Sequence, residues 1–199
     1  MLTVTEKRET STIQALLSDR ARSYMTKLKR KSACTYKHSI RLAKLADKFA
    51  SVLGLSDKER IQLIQGCYLH DIGKLSTPIS ILNQERALND HEWNSMKKHP
   101  VQGARIAMTF AEEVDNRVLE TILFHHERWD GRGYPDGLSG ENIPYFARIC
   151  AVLDAFDSMV SDRCYRKGLS ASHAIVELKR NSGTQFDPHV VRCFIQYCI

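Results

Sequence analysis

The chain has 199 residues, 43% of them hydrophobic and 26% charged, an ordinary composition that excludes a disordered or collagen-like chain and suffices for one large domain. Its net charge of +6 is local: residues 1–33 carry eight basic and three acidic side chains, the other 166 carry twenty-one and twenty. The body therefore has no bias toward nucleic acid, and no run of about 18 apolar residues predicts a membrane span.

Apolar residues recur at helical spacing along the chain, with no alternation of period two. Residues 10–31 predict a first helix, in which Leu17, Ala21, Tyr24 and Leu28 are spaced 4, 3 and 4 apart. This short seam has two readings, docking on the body or pairing with a second subunit as a homodimer. Its basic face is read as solvated. A strongly apolar helix spans 35–54, through Ile40, Leu42, Ala43, Leu45, Ala46, Phe49 and Leu53, and stops at Gly54. Ser56 and Glu59 make a capping box for the next helix, which runs to His70. Asn89 and Glu92 offer a similar start before Trp93, and another helix follows Pro100. Residues 115–126 end a helix on His125 and His126.

The loop 129–143 is rich in Gly, Pro, Asp and Asn, as turns require. Pro144 opens the helix of Phe146, Ile149, Val152, Leu153 and Phe156, and helices near 170–181 and 188–197 follow, the last with Asp187 as N-cap. The expected fold is all-α, a bundle of about seven or eight helices around a buried site. Met1-Leu2-Thr3-Val4-Thr5-Glu6 lacks the apolar core of a secretory signal, so a cytoplasmic protein is expected. The six cysteines form no Cys-x-x-Cys pair and read as reduced thiols, with Cys67 and Cys150 as small hydrophobes inside helices.

The chemistry concentrates in His70-Asp71-Ile72-Gly73-Lys74 and in His125-His126-Glu127-Arg128-Trp129-Asp130-Gly131-Arg132-Gly133-Tyr134-Pro135. Neutral imidazoles and carboxylates hold divalent transition metals. Adjacent residues at a helix end project about 100° apart and reach two points, as two cations sharing one carboxylate require. Asp154 stands in the apolar run Ile149-Cys150-Ala151-Val152-Leu153-Asp154-Ala155-Phe156, where a carboxylate must be paired or metal-bound. Lys74 is placed to neutralise a phosphate under attack. A lone histidine in a helix is usually satisfied by a backbone carbonyl; two pairs plus a buried aspartate point instead to a dinuclear centre.

These strings resemble the HD-GYP family, a bacterial subgroup of the HD-domain metal-dependent phosphohydrolases. The resemblance spans about residues 34–196 and includes Lys98-His99-Pro100, Ala147-Arg148-Ile149, Asp154-Ala155-Phe156-Asp157 and Ser161-Asp162-Arg163-Cys164-Tyr165-Arg166. It implies a catalytic domain over 34–199 preceded by a basic helix in 1–33. It implies His38, His70, Asp71, His99, His125, His126 and Asp154 as ligands of two cations, with Asp71 bridging. Lys74, Arg163 and Arg166 fall where the family contacts substrate phosphates, and Tyr134 beside the pocket.

The activity implied is hydrolysis of cyclic di-GMP to linear pGpG or on to GMP, a water shared by the two cations being the nucleophile. Iron or manganese is the expected metal, with zinc, nickel and cobalt also suited to these ligands. Cys34 stands four residues before His38, where some relatives have a glutamate for a third metal, so a dinuclear site and a slow second cleavage are expected. The segment Leu82-Asn83-Gln84-Glu85-Arg86-Ala87-Leu88 departs from the family's Lys-Pro-Gly run. Readings from other classes are a cyclic-dinucleotide receptor with little catalysis, a docking module whose Gly-Tyr-Pro loop contacts a diguanylate cyclase-type partner, and an enzyme for another cyclic dinucleotide. For Trp129 and Tyr134, packing and stacking on a guanine are equal readings.

Overall fold

The computed structural model describes residues 12–84, 86–110, 114–162 and 167–198. They form α1 (Asp19–Lys31), α2 (Ala33–Val52), α3 (Asp57–Leu69), α4 (Ile79–Leu82), α5 (Asp90–Met96), α6 (His99–Met108), α7 (Asn116–Phe124), α8 (Tyr145–Val160), α9 (Ala171–Arg180) and α10 (Pro188–Cys198), and no strand among the described residues. Of these, the four-residue α4 is too short to register as a periodic pattern. No helix of the described residues is long and apolar enough to cross a membrane.

The helix boundaries follow side-chain caps. Ser56 with Glu59, and Asn89 with Glu92, form complete capping boxes at α3 and α5. Asp187 Oδ1 accepts the backbone N–H of His189 at 2.7 Å, capping α10. The expected helix over 10–31 is corrected: residues 12–15 make one short turn, and α1 begins anew after Ser18, whose side chain accepts from the Ala21 N–H. A serine that caps so readily competes with helix continuation. Residues 10 and 11 lie outside the described residues.

Two apolar clusters flank α2 and α3. The first joins Leu17, Ala21, Met25 and Leu28 to Tyr36, Ile40, Tyr68, Leu69, Ile72 and Ile122. The seam of the first helix thus docks on the body. The second joins Leu42, Phe49, Leu63 and Cys67 to Ile149, Cys150, Leu153 and Phe194. Helix α3 contributes to both and is buried nearly all round, from Gln62 to Leu69. Cys67 and Cys150 are free and buried, Cys34 free and exposed.

One close approach positions the later chemistry. After α3 the chain makes a 3₁₀ turn at Ile72–Leu75 that lies against the start of α6. A Cβ on Gly73 would fall 1.9 Å from the His99 carbonyl oxygen and 2.5 Å from the Gly103 nitrogen. Backbone cannot yield as a side chain does. Gly73→Ala is therefore expected to cost about 3 kcal/mol and to lower Tm by about 6–12 °C in a melting experiment.

Candidate metal centre

Five helices and one turn send side chains to one cluster: His38 from α2, His70 from the end of α3, Asp71 from the turn after it, His99 from the start of α6, His125 and His126 from the end of α7, and Asp154 from α8. His70, Asp71, His99 and His125 are each at most 2% exposed. The contacts form a chain. His38 Nε2 lies 3.0 Å from Asp154 Oδ1 and 3.3 Å from His70 Nε2. His70 Nε2 lies 3.4 Å from Asp71 Oδ2, and Asp71 Oδ1 lies 3.3 Å from His99 Nε2. His99 Nε2 in turn lies 3.3 Å from His125 Nε2, and the His125 and His126 rings are 4.1 Å apart. The potential ligand atoms fall into two groups, His38-His70-Asp71 and His99-His125-His126, each within 4.8 Å.

The protons explain what this arrangement is for. His70 Nδ1 donates to the Cys67 carbonyl at 2.7 Å, His99 Nδ1 to Met96 at 2.7 Å and His125 Nδ1 to Ile122 at 2.9 Å. His38 Nδ1 meets Asp157 Oδ2 at 2.7 Å, and the Arg41 guanidinium grips the same carboxylate through two contacts of 2.8 Å. His70, His99 and His125 thereby direct their protons outward and turn a bare Nε2 lone pair inward. The His99–His125 contact is Nε2 acceptor against Nε2 acceptor. Asp71 Oδ1 is buried and receives no hydrogen bond, although His99 Nε2 is near. Buried imidazole lone pairs around a carboxylate oxygen that receives no donor fit a cation.

Burial holds the inner imidazoles neutral. It lowers His99 to about 3 and His126 to about 4, helped by the Lys74 charge at His99, and drives His125 well below its usual value. At His38 burial acts in the same direction, but the hydrogen bonds it donates to Asp154 and Asp157 prevail and raise it to about 9. Burial opposes the charge on Asp71 too, yet Lys74 and His70 hold it well below the carboxylate range. Unfolded chain protonates His99, His125 and His126 near 6.5; folded chain refuses those protons until far lower pH. Stability of metal-stripped protein from these three groups is therefore present above about 6.5 and is lost as pH falls toward 4. His38 contributes oppositely, its share being lost as pH rises through 9. The expected result is a Tm that drops between pH 7 and pH 5 in chelator-treated protein, measured by circular dichroism; a flat profile would refute buried neutral histidines.

Lys74 donates to Asp71 Oδ2 at 2.6 Å, from a position about a quarter exposed. Tyr134 stacks on His126 with centroids 4.8 Å apart. Gly133 permits this, since a Cβ there would meet the Glu127 Cα at 2.5 Å, and the Tyr134 N–H reaches the His126 carbonyl at 3.2 Å. Tyr134, Pro135, Lys97, Lys98 and Arg105 also line a groove of about 420 Å³ alongside. Trp129, by contrast, packs near Arg148, 5.8 Å from its ring. Arg163 and Arg166 lie outside the described residues. Cys34 belongs to neither ligand group.

Three residues beyond those expected take part. Asp157 and Arg41 orient His38; the signal was present, because Asp157 is three residues past Asp154 and Arg41 three past His38, on shared helix faces. Glu127 is 3% exposed and accepts from the Asp136 and Gly137 N–H groups at 2.7 and 3.0 Å. Nothing in its local sequence marks it as a loop anchor.

Comparison with known proteins agrees with this geometry. A family described as an HD domain matches residues 14–190. A cyclic di-GMP phosphodiesterase of Pseudomonas aeruginosa is 39% identical over 172 residues, 86% of this chain and 41% of that protein. A 3'3'-cGAMP-specific phosphodiesterase of Vibrio cholerae is 32% identical over 160 residues, 80% of this chain and 31% of that protein. Among solved structures, an HDG"Y"P protein from Bdellovibrio bacteriovorus superposes with a TM-score of 0.66 at 22% identity, covering 82% of this chain and 51% of that one. The chain spans less than half the length of the curated relatives it matches here. With its clustered histidines and carboxylates and this family match in agreement, the chain belongs to the HD domain family.

Proposed function

We propose that this chain is a metal-dependent phosphodiesterase that opens cyclic di-GMP to linear pGpG. The observation that carries it is the buried set of inward-turned Nε2 atoms around Asp71, whose Oδ1 has no donor. His38, His70, Asp154 and Asp71 would hold one divalent cation, and His99, His125, His126 and Asp71 a second. Iron or manganese is favoured. When bound, such a pair supplies Lewis-acid polarisation of the phosphate and acidifies water.

The chain's own residues do the rest. Water adds to phosphorus, the P–O3′ bond breaks and the 3′-oxygen leaves with a proton. Lys74, anchored on Asp71 Oδ2, places its ammonium where charge builds on the non-bridging oxygens. Tyr134 walls the pocket and fixes the face from which a guanine enters. Arg163 and Arg166 are assigned to the phosphates on the family resemblance alone.

Protein loaded anaerobically with iron or manganese should convert cyclic di-GMP to pGpG, read by mass spectrometry. Intact ligand after prolonged incubation with two cations per chain would refute the enzyme and leave a receptor. With Cys34 exposed and outside the ligand groups, pGpG should accumulate rather than pass on to GMP. A second reading, 3'3'-cGAMP as substrate, is favoured by the Vibrio cholerae relative; competition between the two dinucleotides decides it.

A further inference from the structure

Glu127 follows the two site histidines directly, yet faces away from their cluster. Its Oε1 receives the Asp136 and Gly137 N–H groups and so closes the loop that carries Tyr134. Its Oε2 is buried and meets no donor. On α8, Arg148 donates Nη1 to Asp187 Oδ2 at 2.6 Å, while its Nε is buried and meets no acceptor. Glu127 and Arg148 line the same small cavity, with about 10 Å³ open to the centre of a water-sized sphere. That is room for one water and nothing larger. The carboxylate oxygen needs a donor and the guanidinium N–H needs an acceptor; at this size water offers both.

We propose that one buried water joins Glu127 Oε2 to Arg148 Nε, making these two residues a positioning pair that seats the Gly-Tyr-Pro loop against the metal centre. The linkage runs from Arg148 through the water to Glu127, and from there to the amides of Asp136 and Gly137. It also gives the buried Glu127 charge a cationic partner, without which it would be costly. The effect on catalysis rests on the proposed reading of Tyr134 as pocket wall; the linkage itself does not.

Hydrogen–deuterium exchange on the whole chain tests it. Arg148 makes no hydrogen bond to residues 131–137 among the described residues, so a purely local role predicts no effect there. Glu127→Ala, Arg148→Met and Arg148→Lys should each accelerate exchange at Asp136 and Gly137 about tenfold or more. Arg148→Lys can keep the Asp187 ion pair but lacks Nε, and it carries the test if the methionine variant does not fold. Asp187→Asn, which leaves Nε in place, should change exchange there by less than about twofold. Metal content should be kept, and KM for cyclic di-GMP should rise with kcat near that of the parent. Unchanged exchange at both amides in the Arg148 variants overturns the proposal. So does a high-resolution structure with no density between the two atoms. If the parent protein turns over no dinucleotide, the exchange result still decides the linkage, and only the catalytic reading falls.

Discussion

Asp71→Asn is expected to cut turnover of cyclic di-GMP by roughly 10³-fold or more and to leave fewer than two cations per chain. Asp71 approaches both histidine groups, with Oδ2 3.4 Å from His70 Nε2 and Oδ1 3.3 Å from His99 Nε2. An amide of the same shape can bring N–H donors to those lone pairs. The variant should therefore fold, and its metal-stripped form should melt no lower than the parent. Elemental analysis, a product assay and a melting curve together read the outcome. Two tightly held cations with parental activity would show that Asp71 does not bridge.

Lys74→Met is expected to lower kcat/KM about 10²- to 10³-fold while both cations stay bound. The ammonium sits 2.6 Å from Asp71 Oδ2 on a partly open rim, so its charge is available to a phosphate approaching the cluster. The methionine keeps an unbranched stem of similar length and removes the charge and donors. If the loss tracks a fall in metal content instead, Lys74 acts by holding Asp71 and not by meeting substrate. Measuring metal stoichiometry beside kinetics separates the two.

The helical architecture was legible because its punctuation is chemical. Ser56-Glu59, Asn89-Glu92 and Asp187-Pro188 announce helix starts that the structure places within a residue. The start of α1 was misplaced because Ser18 offered a cap inside an otherwise continuous pattern. The ligand set was legible for a different reason. His70-Asp71 and His125-His126 are adjacent in sequence, and Asp154 is a charge in an apolar run. His38 and His99 carry no such local mark and depended on the family resemblance. Asp157, Arg41 and Glu127 act across α2, α8 and the Gly-Tyr-Pro loop, so their partners exist only once those elements meet. Arg148 and Asp187, 39 residues apart, are the same case.

His70, His99 and His125 each donate to the carbonyl three residues earlier, at Cys67, Met96 and Ile122. Every one of these rings is thus clamped by the helix end three residues before it, ahead of any ion, and the ordering entropy is spent during folding. Such a cradle has no need to rearrange when one first-row cation is exchanged for another. Which element fills it is then governed by supply in the surrounding medium, and swapping iron for manganese should alter reactivity while leaving the scaffold's shape untouched.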